Sequence, residues 1–176
     1  AVSVPARSGI QRAFSNWDGT NYLFLAEHGY VGGGDGVQYI VFFPFYPIMI
    51  KLFQLFIRNY FWAAVLVSNL SLVFSAIYLY KLARMDLDRQ DSLFAVLLLV
   101  CSPFSFFLSG VYTESLFLLL TLLCFYTMRK KKWLLCGIFG MLAAFTRIQG
   151  FLLLIPVLYE CLKDRQDRKH WFYCLL

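Results

Sequence analysis

Charged side chains are scarce in this chain: 15% of its 176 residues are Asp, Glu, Lys or Arg, against 60% hydrophobic and 19% aromatic. Mean hydropathy is +0.65. Soluble domains carry about a quarter charged residues, so this composition excludes an ordinary water-soluble fold. Histidine is also rare, with two in the chain. The five cysteines (Cys101, Cys124, Cys136, Cys161, Cys174) form no C-x-x-C pair and have no histidine at metal-ligand spacing. Zinc modules and dithiol redox motifs are thereby set aside, no metal or cofactor is expected, and thiols lying in or beside apolar runs read as buried and free. The opening AVSVPARSGIQRAF lacks the apolar core of a cleavable signal peptide.

What the chain does have is apolar runs, at about 60–80, 93–110, 113–128, 133–146 and 150–162, preceded by the Pro-punctuated FFPFYPIMIKLFQLFI. Counted against a bilayer core, the chain amounts to roughly five membrane passes, the last three short for full spans. The expected fold is all-α, a polytopic transmembrane helical bundle. Residues 1–59 form an outer loop and juxtamembrane helix, and 60–176 the transmembrane helices. Because it begins at Ala1 and stops in HWFYCLL, itself like the opening of an apolar helix, the chain is expected to be a fragment of a longer protein, incomplete at both ends.

The net charge of +6 sits in the wrong places for nucleic acid, which is not an expected partner. Three short gaps, KLARMDLDR, RKKK and KDRQDRK, hold 11 of the 16 Lys and Arg, and cytoplasmic loops are where such an excess belongs. If all three gaps face the cytoplasm, the helices between them cross in pairs. Helices 93–110 and 113–128 then form one hairpin with GVYTE at its outer tip, and 133–146 and 150–162 a second with TRIQG at its tip. Asp18, Glu27, Asp35, Glu114 and Arg147 all fall on the outer side, although the parity argument used none of them. The rival is one tilted helix over 133–162. It would put Arg147 at mid-bilayer, at a cost of several kcal/mol, and a basic loop outside.

Each polar motif has a bland reading and a chemical one. NWDGTNY is either an interfacial Trp and Tyr around an Asp-Gly turn or a carboxylate site at Asp18. VGGGDG is not followed by a helix start and reads as a linker rather than a phosphate loop. In SPFSFFLSGVYTESLF, Pro103 breaks a membrane helix. Thr113 there is placed to cap the next helix, with Glu114 either serving its dipole or belonging to a site. Arg147 either snorkels to the interface or receives a phosphate by paired hydrogen bonds, and Gly150 beyond it permits a tight turn. His28 is a possible base, or packs near the interface.

Taken in order and spacing, NWDGTNYLFLAEHGY, FFPFYP, SPFSFFLSGVYTESLF and AAFTRIQG resemble the GPI mannosyltransferase 2 (PIG-V-like) family of multispanning glycosyltransferases. The short loops are most similar to prokaryotic members. The resemblance covers nearly the whole chain and implies a GT-C type fold. It also implies a polyprenyl- or dolichyl-phosphate sugar as donor, a glycan or glycolipid hydroxyl as acceptor, and chemistry on the exoplasmic face. The membrane would be the plasma membrane of a prokaryote or the endoplasmic reticulum of a eukaryote. In such enzymes the acidic residue of the first outer loop is the expected base, and Asp18 occupies that place.

A phosphate leaves as a stable anion and needs no proton, whereas the attacking hydroxyl needs a base. One carboxylate therefore suffices for transfer, where a glycosidase normally needs two. Arg147 is the expected donor-phosphate ligand. Trp17, Glu27, His28, Tyr112 and Glu114 are candidate substrate contacts, with the Trp17, Tyr22 and Tyr112 rings available to stack on sugars. The alternatives are a lipid or sugar transporter or flippase, which calls for midplane charges and a repeat not visible here, and a noncatalytic scaffold.

Overall fold

The computed structural model describes residues 9–30 and 39–163. The expected linker VGGGDG with Asp35, nearly all of KDRQDRK and the closing HWFYCLL lie outside these residues. Among the described residues the chain is all helix, in the order α1 (Gly9–Phe14), α2 (Gly19–His28), α3 (Phe45–Ile57), α4 (Tyr60–Ala83), α5 (Arg89–Val100), α6 (Ser105–Ser109), α7 (Glu114–Arg129) and α8 (Trp133–Ala144). A 3-10 turn, Ile148–Leu153, then leads into α9 (Leu154–Lys163).

α4 is the centre of the bundle, packed by α3, α5 and α7. Its 24 residues contain no Pro or Gly, and the Asn59 side chain accepts the Trp62 N–H at 3.1 Å to cap its start. Among the described residues it is the one helix long and apolar enough to cross a membrane. Its buried Ala64, Ser68, Ser71 and Ser75 share one face by their spacing, and small residues there let a neighbouring backbone come close. Accordingly Ser68 Oγ donates to the Tyr112 carbonyl at 3.3 Å and Ser75 Oγ to that of Ser115 at 3.5 Å.

The run expected as one helix over 93–110 is two, α5 and α6, separated at 101–104. Pro103 sits in the break, where its missing N–H and its ring forbid continuation. α7 and α8 form a tight hairpin turned at Lys131, whose φ of 54° is left-handed. The single helix considered for 133–162 does not form. α8 stops at Ala144, Arg147 is extended (φ −152°, ψ 147°), and the chain doubles back. Gly150 makes that possible: a Cβ there would lie 2.3 Å from the Ala144 nitrogen. The tight turn expected at this glycine is there, and close backbone approach is the reason a glycine is needed.

At the opposite end Arg129 Nη2 donates to Asp86 Oδ1 at 2.6 Å, joining the α4–α5 turn to the end of α7. Two of the three basic gaps therefore share one end of the bundle.

Candidate active site

Asn16, Trp17, Asp18 and Gly19 form a turn closed by Gly19 N–H donating to the Asn16 carbonyl at 3.2 Å. Trp17 sits in it with φ of 52°, a conformation that bulky residues adopt only when the surroundings enforce it. The enforcement is visible. The Val111 N–H donates to the Phe14 carbonyl at 2.8 Å, and Tyr112 Oη donates to the Asn16 carbonyl at 3.0 Å. The Trp17 ring stacks on Phe107, centroids 5.8 Å apart. Gly19 lies so close to the Val111 carbonyl that a Cβ would meet it at 2.9 Å. The WDG turn is thus clasped to the GVYTE turn, and neither turn can shift without the other.

TRIQG closes the other side. Arg147 Nη1 donates to Glu114 Oε1 at 2.5 Å and to Thr113 Oγ1 at 3.1 Å. Thr113 precedes α7 in the cap position, yet its side chain makes no cap bond. The expected capping role goes unfilled because Thr113 is itself helical (φ −79°, ψ −12°) and not in the extended conformation from which a cap hydroxyl reaches the helix N–H groups; the hydroxyl turns to the arginine instead. Asp18, Tyr22, Tyr112, Thr113, Glu114, Thr146 and Arg147 line one open cleft of about 370 Å³. Asp18 precedes α2 in the same way as Thr113 precedes α7, and its carboxylate makes no cap bond either, so it remains exposed at the cleft.

The field in the cleft is legible from its tyrosines. Burial pushes the Tyr22 hydroxyl up to about 12; the nearby Thr113 hydroxyl and Arg147 oppose this, and Asp18 and Glu114 add to it. Tyr112 is raised by burial first, then by Glu114 and Asp18. Two carboxylates and one guanidinium therefore act on the same small volume, and both phenols stay protonated at neutral pH.

Not every expected residue is here. Glu27 and His28 are exposed at the end of α2 and do not line the cleft. His28 stacks on Phe24 with its Nδ1 3.3 Å from the Phe24 carbonyl oxygen. Trp17 is 71% exposed and also lies off the cleft lining. The Tyr22 ring is held edge-on between Phe42 and Tyr46, so its hydroxyl and not its face is left for the cleft. Thr113 and Thr146, absent from the expected site, also line the cleft. Thr146 is fully buried and donates to the Leu142 carbonyl at 2.8 Å; the position of each beside a named acid or base was the available signal. No group of three or more metal-ligating side chains occurs among the described residues.

Comparison with known proteins places the chain. A family model described as dolichyl-phosphate-mannose-protein mannosyltransferase matches residues 43–175. The mouse GPI alpha-1,6-mannosyltransferase 2 is 30% identical over 153 residues, covering 81% of this chain and 30% of that protein. Its human counterpart is 32% identical over 64% of this chain and 24% of its own length. The GPI mannosyltransferase 2 of Candida albicans is 41% identical over 53% of this chain and 25% of its own length. The chain thus spans less than a third of these relatives. No solved structure matches it. The matched region contains α3 to α9 and the cleft's GVYTE and TRIQG segments, and the chain belongs to the GPI mannosyltransferase 2 group of the dolichyl-phosphate-mannose mannosyltransferases.

Proposed function

We propose that this chain is part of a multi-pass membrane mannosyltransferase that moves a hexose from a polyprenyl- or dolichyl-phosphate donor to a hydroxyl of a glycan or glycolipid. The observation that carries the reading is the single cleft lined by both Asp18 and Arg147, which are far apart in sequence. Asp18 takes the proton of the acceptor hydroxyl as its oxygen bonds to the sugar's anomeric carbon. The bond from that carbon to the phosphate oxygen breaks, and the electron pair leaves on the phosphate. Arg147 steadies that departing charge, the role for which a planar, permanently charged fork is suited. The names of the relatives make mannose the sugar to test first, and an alpha-1,6 bond the product to look for.

The bundle's exterior supports the membrane reading. Phe56, Val73, Phe94, Leu97 and Ile155 are 82%, 56%, 60%, 58% and 67% exposed, an apolar surface that water would penalise. With the basic turns on the cytoplasmic side, the cleft lies at the opposite, exoplasmic end. α7 has 16 residues, about 24 Å at 1.5 Å per residue against a hydrocarbon core of about 30 Å. Glu114 at its start is then recessed roughly 6 Å inside the outer edge of that core, just beneath the level a lipid phosphate occupies. The test is transfer by the purified full-length enzyme from dolichyl-phosphate mannose to a GPI-precursor glycolipid. Absence of transfer overturns the reading, and undiminished turnover without the Asp18 carboxylate overturns Asp18 as its base.

A further inference from the structure

We infer that Thr113 is a positioning residue, whose hydroxyl holds the Arg147 guanidinium in place while a lipid phosphate is bound; this rests on the donor-phosphate role proposed for Arg147. Thr113 is 2% exposed, so its hydroxyl has few partners to choose from. A threonine before a helix ordinarily turns its oxygen to the helix's own N–H groups. Here the oxygen makes no such bond and instead accepts from Arg147 Nη1 at 3.1 Å. With a helical backbone at Thr113 (φ −79°, ψ −12°) the cap bond is out of reach, and the hydroxyl serves a contact spanning 34 residues of chain.

The two partners of Arg147 differ in charge, and that difference assigns their roles. Glu114 is an anion that takes the same Nη1 at 2.5 Å. An incoming phosphate competes with it for the guanidinium and is repelled by it. The Thr113 hydroxyl is neutral, so it neither repels the phosphate nor has to be displaced by it. It is also anchored from both sides in sequence: its carbonyl accepts the Phe117 N–H at 2.8 Å, and the neighbouring Tyr112 is tied to Asn16. Whatever holds Arg147 at that spot also ties it to the turn carrying Asp18. Once a phosphate competes with Glu114 for the guanidinium, the Thr113 hydroxyl is the neutral contact that still ties Arg147 to that turn.

Thr113→Val keeps the shape and removes the hydroxyl, and Thr113→Ser keeps the hydroxyl and removes a methyl. In the full-length enzyme, Thr113→Val should raise the KM for dolichyl-phosphate mannose about tenfold, the effect of losing one hydrogen bond to a charged group. kcat should move less, and Thr113→Ser should restore the KM to within about threefold, the size left when only a methyl is removed. Should Thr113→Val fail to accumulate, Thr113→Ala compared with Thr113→Ser carries the same test. Arg147→Ala is measured beside them, and the double variant Thr113→Val/Arg147→Ala should be no worse than Arg147→Ala alone, because coupled residues are not additive. If Arg147→Ala leaves donor KM unchanged, the phosphate role itself is lost. If Arg147→Ala raises it while Thr113→Val leaves it unchanged, or if the two effects add, only the positioning role is overturned.

Discussion

Arg147 and Glu114, 33 residues apart in the chain, meet at 2.5 Å between guanidinium Nη1 and carboxylate Oε1, at 31% and 35% side-chain exposure. The pair is half-buried at the rim of the cleft that Asp18 also lines. A snorkelling arginine would have reached for solvent. This one is fixed from two sides, and Asp18 is left without a cap bond to make.

Asp18→Asn is nearly isosteric and preserves the turn before α2. Folding and donor binding should persist while kcat falls by about 10² to 10⁴, the usual contribution of a general base. Steady-state kinetics on the purified full-length enzyme check this. Near-normal turnover would move the base to Glu114 or another acid.

Arg147→Lys keeps the charge and loses the planar fork. Donor affinity should fall by about 1–3 kcal/mol, the range for hydrogen bonds to charged groups. The check is the donor KM. An unchanged value sinks the phosphate role.

Sidedness is open to chemical labelling. With the native thiols replaced, single cysteines at Lys131 and at Gln149 should differ: the second should react with a membrane-impermeant maleimide from the exoplasmic side and the first should not. The motivation is that Lys131 lies at the basic end and Gln149 lines the cleft. Labelling at 131 alone would invert the topology and place the chemistry on the cytoplasmic face.

Gly150→Ala asks whether the doubling-back of the chain is as tight as it looks. The added methyl meets Ala143 and Ala144 backbone atoms at 2.3 to 2.5 Å, and backbone cannot swing aside. A loss of about 1–3 kcal/mol is expected, as for overpacking elsewhere. A thermal shift in detergent reads it, and donor KM should rise too because Arg147 lies in the same turn. A variant as stable as the parent contradicts the close approach.

The helical segments were legible because their cause is local. Apolar runs bounded by Pro103, the RKKK turn and TRIQG read as helices from composition alone, and α4 and α7 fall within a few residues of the expected 60–80 and 113–128. Pro103 announced its own break. The pairing of basic gaps at one end followed from charge counting, and the Arg129–Asp86 contact bears that out for two of the three. Asp18, Glu114 and Arg147 stood out because a charge beside oil needs a reason.

Only the tertiary structure decided what those charges do. Whether Thr113 caps its helix or holds Arg147 depends on where α8 turns back, which Gly150 sets through a contact no window of sequence contains. That Tyr22 offers a hydroxyl and not a ring face follows from Phe42 and Tyr46 closing on it from another helix and its approach. Glu27 and His28 read like their neighbour Asp18 along the chain, yet about two and a half turns of helix carry them off the cleft. Propensity, hydropathy and charge act over a few residues and so are written in order along the chain. A site assembled across 33 to 96 residues rests on the relative rotation of packed helices, which the close approaches at Gly19, Gly110 and Gly150 fix and the linear sequence does not.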